Sequence, residues 1–398
     1  MAFSKEFNRK EFKQEMNKSK VILVICSIFL LTGLLAGCNS KVEEPGITPD
    51  APLEVDIPTE TPAQTADGPF SVVDALGRTV AFEKQPRKIV IAGKATTMLT
   101  NAIFLFPEAR ERVLTYEQRS QTNRDFITVV FEEMAGKTLL AKDSNAEQIA
   151  PFQPDLVIFK TYMREKVGMP VETLGIPVIY LDLETPDQFY ADLRTIGLVF
   201  GNSSHAEDLI AMYEANETRV AEALSGIEES EKPSVLLLEY KNKGGELTFS
   251  VPPVNYLQTV IVERAGGVPV WKEVITDGGW TVVTLEQIAA WDPQIIFIVD
   301  YSGTAVEVVT GMKQDPKWQA MQAGRTGKIF AFPGDFISWD QPDPRWGLGE
   351  LWLATRIHPD QFPSFDLVDE VRNFYTNYYG LDEKAINEKI LPLLTGDL

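Results

Sequence analysis

Polar and aromatic residues recur directly behind short, continuous apolar runs, and their chemistry suits gripping a ligand. After Ile89–Ala92 comes Gly93-Lys94-Ala95-Thr96-Thr97, which opens a helical pattern; a lysine and two hydroxyls beside free backbone N–H groups make an anion site, with a plain N-cap as the ordinary alternative. After Leu156–Phe159 comes Lys160-Thr161-Tyr162-Met163-Arg164, basic and aromatic, which a surface loop explains equally well. Further along, Tyr240 and Lys241 follow one apolar run, Asp300 and Tyr301 another, and Ser338-Trp339-Asp340 lies beyond Phe330-Ala331-Phe332. Aromatic side chains in such places either touch a ligand or pack. Arg345, behind Pro342 and Pro344, starts a helix, where it either meets an anion or pairs with Asp343 or Glu350. Lys94, Thr96, Thr97, Tyr162, Tyr240, Tyr301, Trp339 and Arg345 are therefore the expected ligand contacts.

Catalysis has no comparable basis. H-E-x-x-H, G-x-S-x-G, Walker and G-x-G-x-x-G patterns are absent, and His205 and His358, the two histidines, sit near helix ends. A site of several histidines on a bare transition metal is excluded on the same count, so a metal would arrive inside a chelator or as an oxyanion. The expectation is a binding protein, not an enzyme, without cofactor or resident metal. A purely structural surface protein is the third reading, and it predicts neither tight ligand nor lobe closure.

The elements that position these residues are those of an α/β fold. Glu147-Gln148-Ile149-Ala150-Pro151-Phe152-Gln153-Pro154-Asp155-Leu156-Val157-Ile158-Phe159 is repeated 139 residues on as Glu286-Gln287-Ile288-Ala289-Ala290-Trp291-Asp292-Pro293-Gln294-Ile295-Ile296-Phe297-Ile298. Each copy reads as a short helix, a proline stop and a buried strand of a parallel sheet. Strands at Ile89–Ala92, Leu156–Lys160 and Val178–Leu181 alternate with helices at Thr96–Phe106 and Phe126–Ala135. A second set, Val235–Tyr240, Ile295–Val299 and Ile329–Phe332, alternates with helices at Tyr256–Ala265 and Val306–Ala323. Between the sets, Pro186–Phe200 and Ser204–Ser225 read as helices, the latter a strut of about 33 Å. The fold class is two Rossmann-like lobes with central, mostly parallel sheets joined by a long inter-lobe helix. The expected boundaries are 69–186 for the N-terminal lobe, 187–228 for the linking helices, and 229–398 for the C-terminal lobe with closing helices at Arg345–Ile357 and Phe365–Tyr379.

Ahead of the lobes, basic residues precede an apolar stretch from Val21 to Leu35 that ends in Leu35-Ala36-Gly37-Cys38. Fifteen apolar residues fall short of the roughly 20 that span a bilayer. The run resembles a bacterial lipoprotein signal, which implies removal of residues 1–37 and lipidation of Cys38. Residues 38–68 then read as a disordered tether, rich in Pro, Glu, Thr and Asp. Removing residues 1–37 takes away six basic and three acidic side chains and moves the net charge from −20 to −23. Nucleic acid is thereby excluded as a partner. Cys26 lies inside the removed segment, so the mature chain has no internal disulfide and depends on its core.

Several stretches together resemble the periplasmic binding proteins that serve ABC importers of iron chelates, cobalamin and related ligands. They are Gln153-Pro154-Asp155-Leu156-Val157, Glu263-Arg264-Ala265-Gly266-Gly267, Thr284 to Pro293, Asp343-Pro344-Arg345 leading into Trp352-Leu353-Ala354, and Phe374-Tyr375 to Gly380. The last leans towards a branch that includes iron-chelate and molybdate or tungstate binders. The resemblance implies a ligand held between the lobes, in agreement with the rule that open α/β sheets bind at the carboxyl ends of their strands. It also implies that Glu147 and Glu286, which by themselves read as helix-start acids, dock onto arginines of the permease. The implied protein is a monomeric, membrane-anchored lipoprotein outside the cytoplasm. It would pass a ferric siderophore, or alternatively molybdate, tungstate, cobalamin or haem, to a permease and its ATPase subunits.

Overall fold

The computed structural model describes residues 68–118, 124–273 and 278–398; Cys38, the signal-like segment and the tether fall outside the described residues. Unbroken apolar runs become strands buried on both faces: β5 (Leu156–Lys160) and β11 (Ile295–Val299) have no exposed residue. Around β5, the strands β3 (Ile89–Ile91), β4 (Val113–Tyr116) and β6 (Val178–Leu181) make an all-parallel sheet in the order β4-β3-β5-β6. Around β11, the strands β7 (Ser234–Lys243), β8 (Glu246–Val251), β10 (Thr281–Val283) and β12 (Ile329–Ala331) follow the order β10-β8-β7-β11-β12, and β9 (Val268–Pro269) joins β7. Here β7, β11 and β12 are parallel, while β8 pairs antiparallel with both β7 and β10. A hairpin of β1 (Phe70–Val73) and β2 (Thr79–Phe82) precedes the first sheet.

The repeat is structural as well as sequential. Asn145 and Thr284 cap the equivalent helices Ala146–Ile149 and Leu285–Trp291, each accepting the N–H of the glutamine three residues on. Each unit then turns through a left-handed residue, Gln153 at φ 47° and Asp292 at φ 40°. Next, Asp155 accepts from the N–H groups of Arg87 and Lys88, and Gln294 from that of Ser234, tying β5 and β11 to their neighbours at matching points. The two lobes thus share one building plan.

Three expected helices differ in extent. The first ends at Ile103, and Phe126–Ala135 breaks after Val130 into a 3₁₀ turn at Glu132–Met134. Val306–Ala323 divides into Ala305–Met312, Pro316–Gln319 and Gln322–Arg325, because Asp315 caps a new start and Pro316 has no N–H to continue the old ladder. The strands β4, β8 and β10 have little apolar alternation of their own; pairing with stronger neighbours forms them.

The strut, Ser203–Leu224, is a 22-residue helix. Its start reaches the first lobe through His205 Nε2 and the Leu105 carbonyl, 3.0 Å apart. Its middle crosses Trp346–Ile357 at Gly347, where an added Cβ would lie 3.2 Å from the Tyr213 ring. At its other end Glu217 pairs with Arg264, which also reaches Glu350 at 3.2 Å, and Tyr190 donates to Glu217. Two carboxylates share one guanidinium here, and burial pushes the Glu350 carboxyl up to about 7 despite the opposing pull of Arg264. The native state therefore binds this proton more tightly than the unfolded chain. Its stabilisation is present below the ordinary glutamate value and is lost as pH rises to about 7, on the order of 3 kcal/mol in all. Buried Asp192 titrates in the same direction, also near 7. Glu350→Gln is expected to flatten part of that slope in urea unfolding between the ordinary glutamate value of 4.5 and about 7; an unchanged slope would assign the whole dependence elsewhere.

Candidate binding site at the strand ends

In the first sheet β3 lies between β4 and β5, and in the second β7 lies between β8 and β11, so β3/β5 and β7/β11 are the switch points where open α/β sheets bind ligands. Five of the expected contacts lie just beyond these strands; the sixth, Tyr240, lies inside β7, which does not end at Tyr240 as the apolar run suggests but continues to Lys243 by pairing with β8, past Glu239 where its pairing with β11 stops. Behind β3, Gly93 has φ +94° and Ala95 φ +56°; a Cβ on Gly93 would come within 2.9 Å of Met163, so this turn needs glycine twice over. Lys94 is exposed, Thr97 half-buried, and Thr96 buried with its hydroxyl on the Gly93 carbonyl. The fully buried Glu117, one residue past β4, accepts from the N–H of Gly93 (2.8 Å) and of Asp143 (2.7 Å), which fixes the turn. Behind β5, Lys160 is buried against Glu184 at 2.6 Å, while Tyr162 is 55% exposed. The turn at Gly93 and Tyr162 thus offers a lysine, a hydroxyl and an aromatic face.

In the second lobe Tyr240 is half-buried, its ring 5.9 Å from Phe249 across the β7/β8 pair. Tyr301 donates to Asp340 at 2.7 Å, and Asp340 also accepts from Gln258 (3.1 Å) and Ser338 (2.5 Å). Burial raises the Asp340 carboxyl, and burial together with Asp340 pushes the Tyr301 phenol well up, so the phenol keeps its proton at neutral pH. Trp280 stands edge-on to Tyr301 at 6.2 Å. Reading the sequence missed Asp340, Glu117 and Trp280; the first two carried a usable signal, an acid next to a strand-end aromatic.

Trp339 and Arg345 are placed differently from the six. Both have no exposed surface. The segment after β12 doubles back through the Gly334–Ser338 bridge, and Trp339 is laid so close to Gly349 that a Cβ there would meet the Trp339 carbonyl at 2.4 Å. Arg345 is held by Asp335 (3.0 Å) and Asp343 (2.8 Å) and donates to the Tyr375 hydroxyl at 2.7 Å. Burial pulls its pKa down, but the charges of Asp335 and Asp343 more than offset that, and it stays charged. Of the two roles weighed for Arg345, the ion pair with Asp343 is the one present, and Glu350 pairs with Arg264 instead. Around this cluster the carboxyl-end loops of the two sheets meet: Phe126 contacts Phe336, and its ring lies 4.3 Å from the Arg345 guanidinium.

Glu147 and Glu286 are both exposed in the first turn of the repeated helices. Backbone and Thr284 hydrogen bonds hold the Glu286 carboxylate below its ordinary value. The histidines are committed elsewhere, His205 to the Leu105 carbonyl and His358 to the Gly266 carbonyl, each at 3.0 Å. Among the described residues no cluster of three or more His, Cys, Asp or Glu could hold a metal ion, and no helix is long and apolar enough to cross a membrane.

Comparison with known proteins agrees with this architecture. The chain is similar to the molybdate-binding protein MolA of Haemophilus influenzae, 23% identical over 344 residues that cover 81% of this chain and 91% of the relative. It is also similar to YvrC, an uncharacterised ABC transporter substrate-binding lipoprotein of Bacillus subtilis, 21% identical over 341 residues covering 84% and 96%. Among solved structures, a periplasmic solute binding protein from Veillonella parvula matches with a TM-score of 0.64 at 24% identity over 81% of this chain and 97% of the other. MolA bound to molybdate matches with 0.64 at 20% identity, over 79% and 98%. The periplasmic binding protein family model itself matches residues 125–336, from the end of the first β4 loop across the strut and through β12, and the chain belongs to that family.

Proposed function

We propose that this chain is the substrate-binding component of an ABC importer and that it captures a metal carried as an anion, either a ferric chelate or a metal oxyanion such as molybdate. Lys94, Thr97, Tyr162, Tyr240 and Tyr301 contact the ligand; Cys38 carries the lipid anchor; the protein binds its ligand without turning it over. The observation that carries this reading is the Gly93–Thr97 turn, a lysine and hydroxyl at the start of a helix and at a switch point of the sheet. The similarity to MolA supports the oxyanion arm. The exposed Tyr162 ring, an apolar face wider than a tetrahedral oxyanion needs, supports the chelate arm.

Titrating residues 39–398 with molybdate, tungstate, and ferric complexes of hydroxamate and catecholate chelators tests it. A ligand at about 100 times its Kd adds about 2.7 kcal/mol to native stability, readable as a thermal shift. Which arm shifts identifies the cargo. No shift with any anion, or chemical turnover of one, would overturn the proposal.

A further inference from the structure

One short helix, Thr96–Ile103, carries the ligand turn at its start and contacts the opposite lobe near its end. Thr96 and Asn101 lie five residues apart, about 7.5 Å along the axis. The Asn101 side chain is 1% exposed, and its amide donates to Asp343 Oδ2 at 2.5 Å. The other oxygen of Asp343 accepts from the backbone N–H and the guanidinium of Arg345. The Asn101 carbonyl, in the last turn of the helix, accepts from the Tyr379 hydroxyl of the closing helix at 3.1 Å. Asn101 is therefore held at its side chain and at its backbone by two elements of the C-terminal lobe.

We infer that Asn101 is a positioning residue that registers the Gly93–Thr97 turn against the C-terminal lobe, so that the lobes cannot separate without moving the ligand turn. The inference rests on the assignment of that turn to the ligand. The charge balance explains why the contact is built here: Asp335 and Asp343 carry one more negative charge than Arg345 neutralises, all three are buried, and Asn101 supplies the donor that Asp343 Oδ2 needs. The stiffness is that of a two-turn helix whose inner face is buried at Thr96, Leu99, Thr100, Asn101, Ala102 and Ile103. A displacement at Asn101 is passed to Thr96 and not absorbed on the way.

The test compares wild type, Asn101→Ala and Tyr379→Phe by hydrogen exchange without ligand, and by titration with molybdate and a ferric chelate. Tyr379→Phe removes only the hydroxyl and keeps the ring, so it remains informative if the alanine variant folds poorly. Both variants should raise exchange at amides 93–98 roughly five- to tenfold while β5, β6 and β11 stay protected, since local opening is distinct from global unfolding. The probe that binds wild type should dissociate faster from both variants by a similar factor. Unchanged exchange at 93–98, or a uniform rise across both lobes, would reduce Asn101 to an ordinary buried partner of Asp343. Failure of wild type to bind either probe would count against the anion reading, and the exchange result would still decide the coupling.

Discussion

Replacing Glu147 and Glu286 together with glutamine is expected to leave ligand affinity in solution unchanged and to cut uptake by the assembled importer roughly tenfold or more. The two carboxylates are exposed and occupy the same position of a duplicated unit, one in each lobe, so a partner that paired with both would be fixed in register and in orientation. Neither supports the fold beyond a favourable charge at an exposed helix start, and Asn145 and Thr284 remain as caps. A single exposed pair is worth only about 0.2–1 kcal/mol, which is why both must be changed. The measurement is reconstituted uptake at limiting binding protein beside titration of the free variant. Normal uptake would return both residues to helix-start acids; lost solution binding would move them into the ligand site or the core.

Arg345→Met is expected to destabilise the protein by about 3–5 kcal/mol, the largest single-residue effect anticipated here, because it leaves two buried carboxylates without their counter-charge. The guanidinium is gripped on three sides: Nε meets Asp335 and Tyr375, one terminal nitrogen meets Asp343, and the Phe126 ring covers a face. Arg345→Lys keeps the charge but not the fork, so it should fall between wild type and the methionine variant. Urea unfolding reads the loss directly. A methionine variant within 1 kcal/mol (about one ordinary hydrogen bond) would mean that the cluster tolerates apolar replacement as a whole. A variant that folds normally but no longer binds anions would restore Arg345 as a ligand contact.

How much of this was legible beforehand follows from the range of the forces involved. The strands β3, β5, β6, β7, β11 and β12, the two-lobed plan, the strut and the duplicated cap-helix-strand unit are all set by neighbours within about ten residues: apolar runs, a capping side chain, a proline stop. The capping and turn residues of the repeat even match across the 139 positions between copies. The strands β1, β2, β4, β8 and β10 were not legible, since they are short or lack an unbroken apolar run and are defined by pairing with a partner strand.

Site assignment divides along the same line. That polar and aromatic residues gather behind strands is a local fact, and six of the eight expected contacts do lie at the switch points. Whether such a residue faces a ligand or the core depends on what returns from far along the chain. Arg345 meets Asn101's partner Asp343 beside it, but also Tyr375 thirty residues later and Phe126 more than two hundred earlier. Trp339 is buried by the turn that brings Gly349 against it. An arginine and a tryptophan have the same intrinsic chemistry in a cleft and in a core. Only the tertiary fold supplies the buried counter-charges for the one and the packed surface for the other, and desolvation makes that difference decisive.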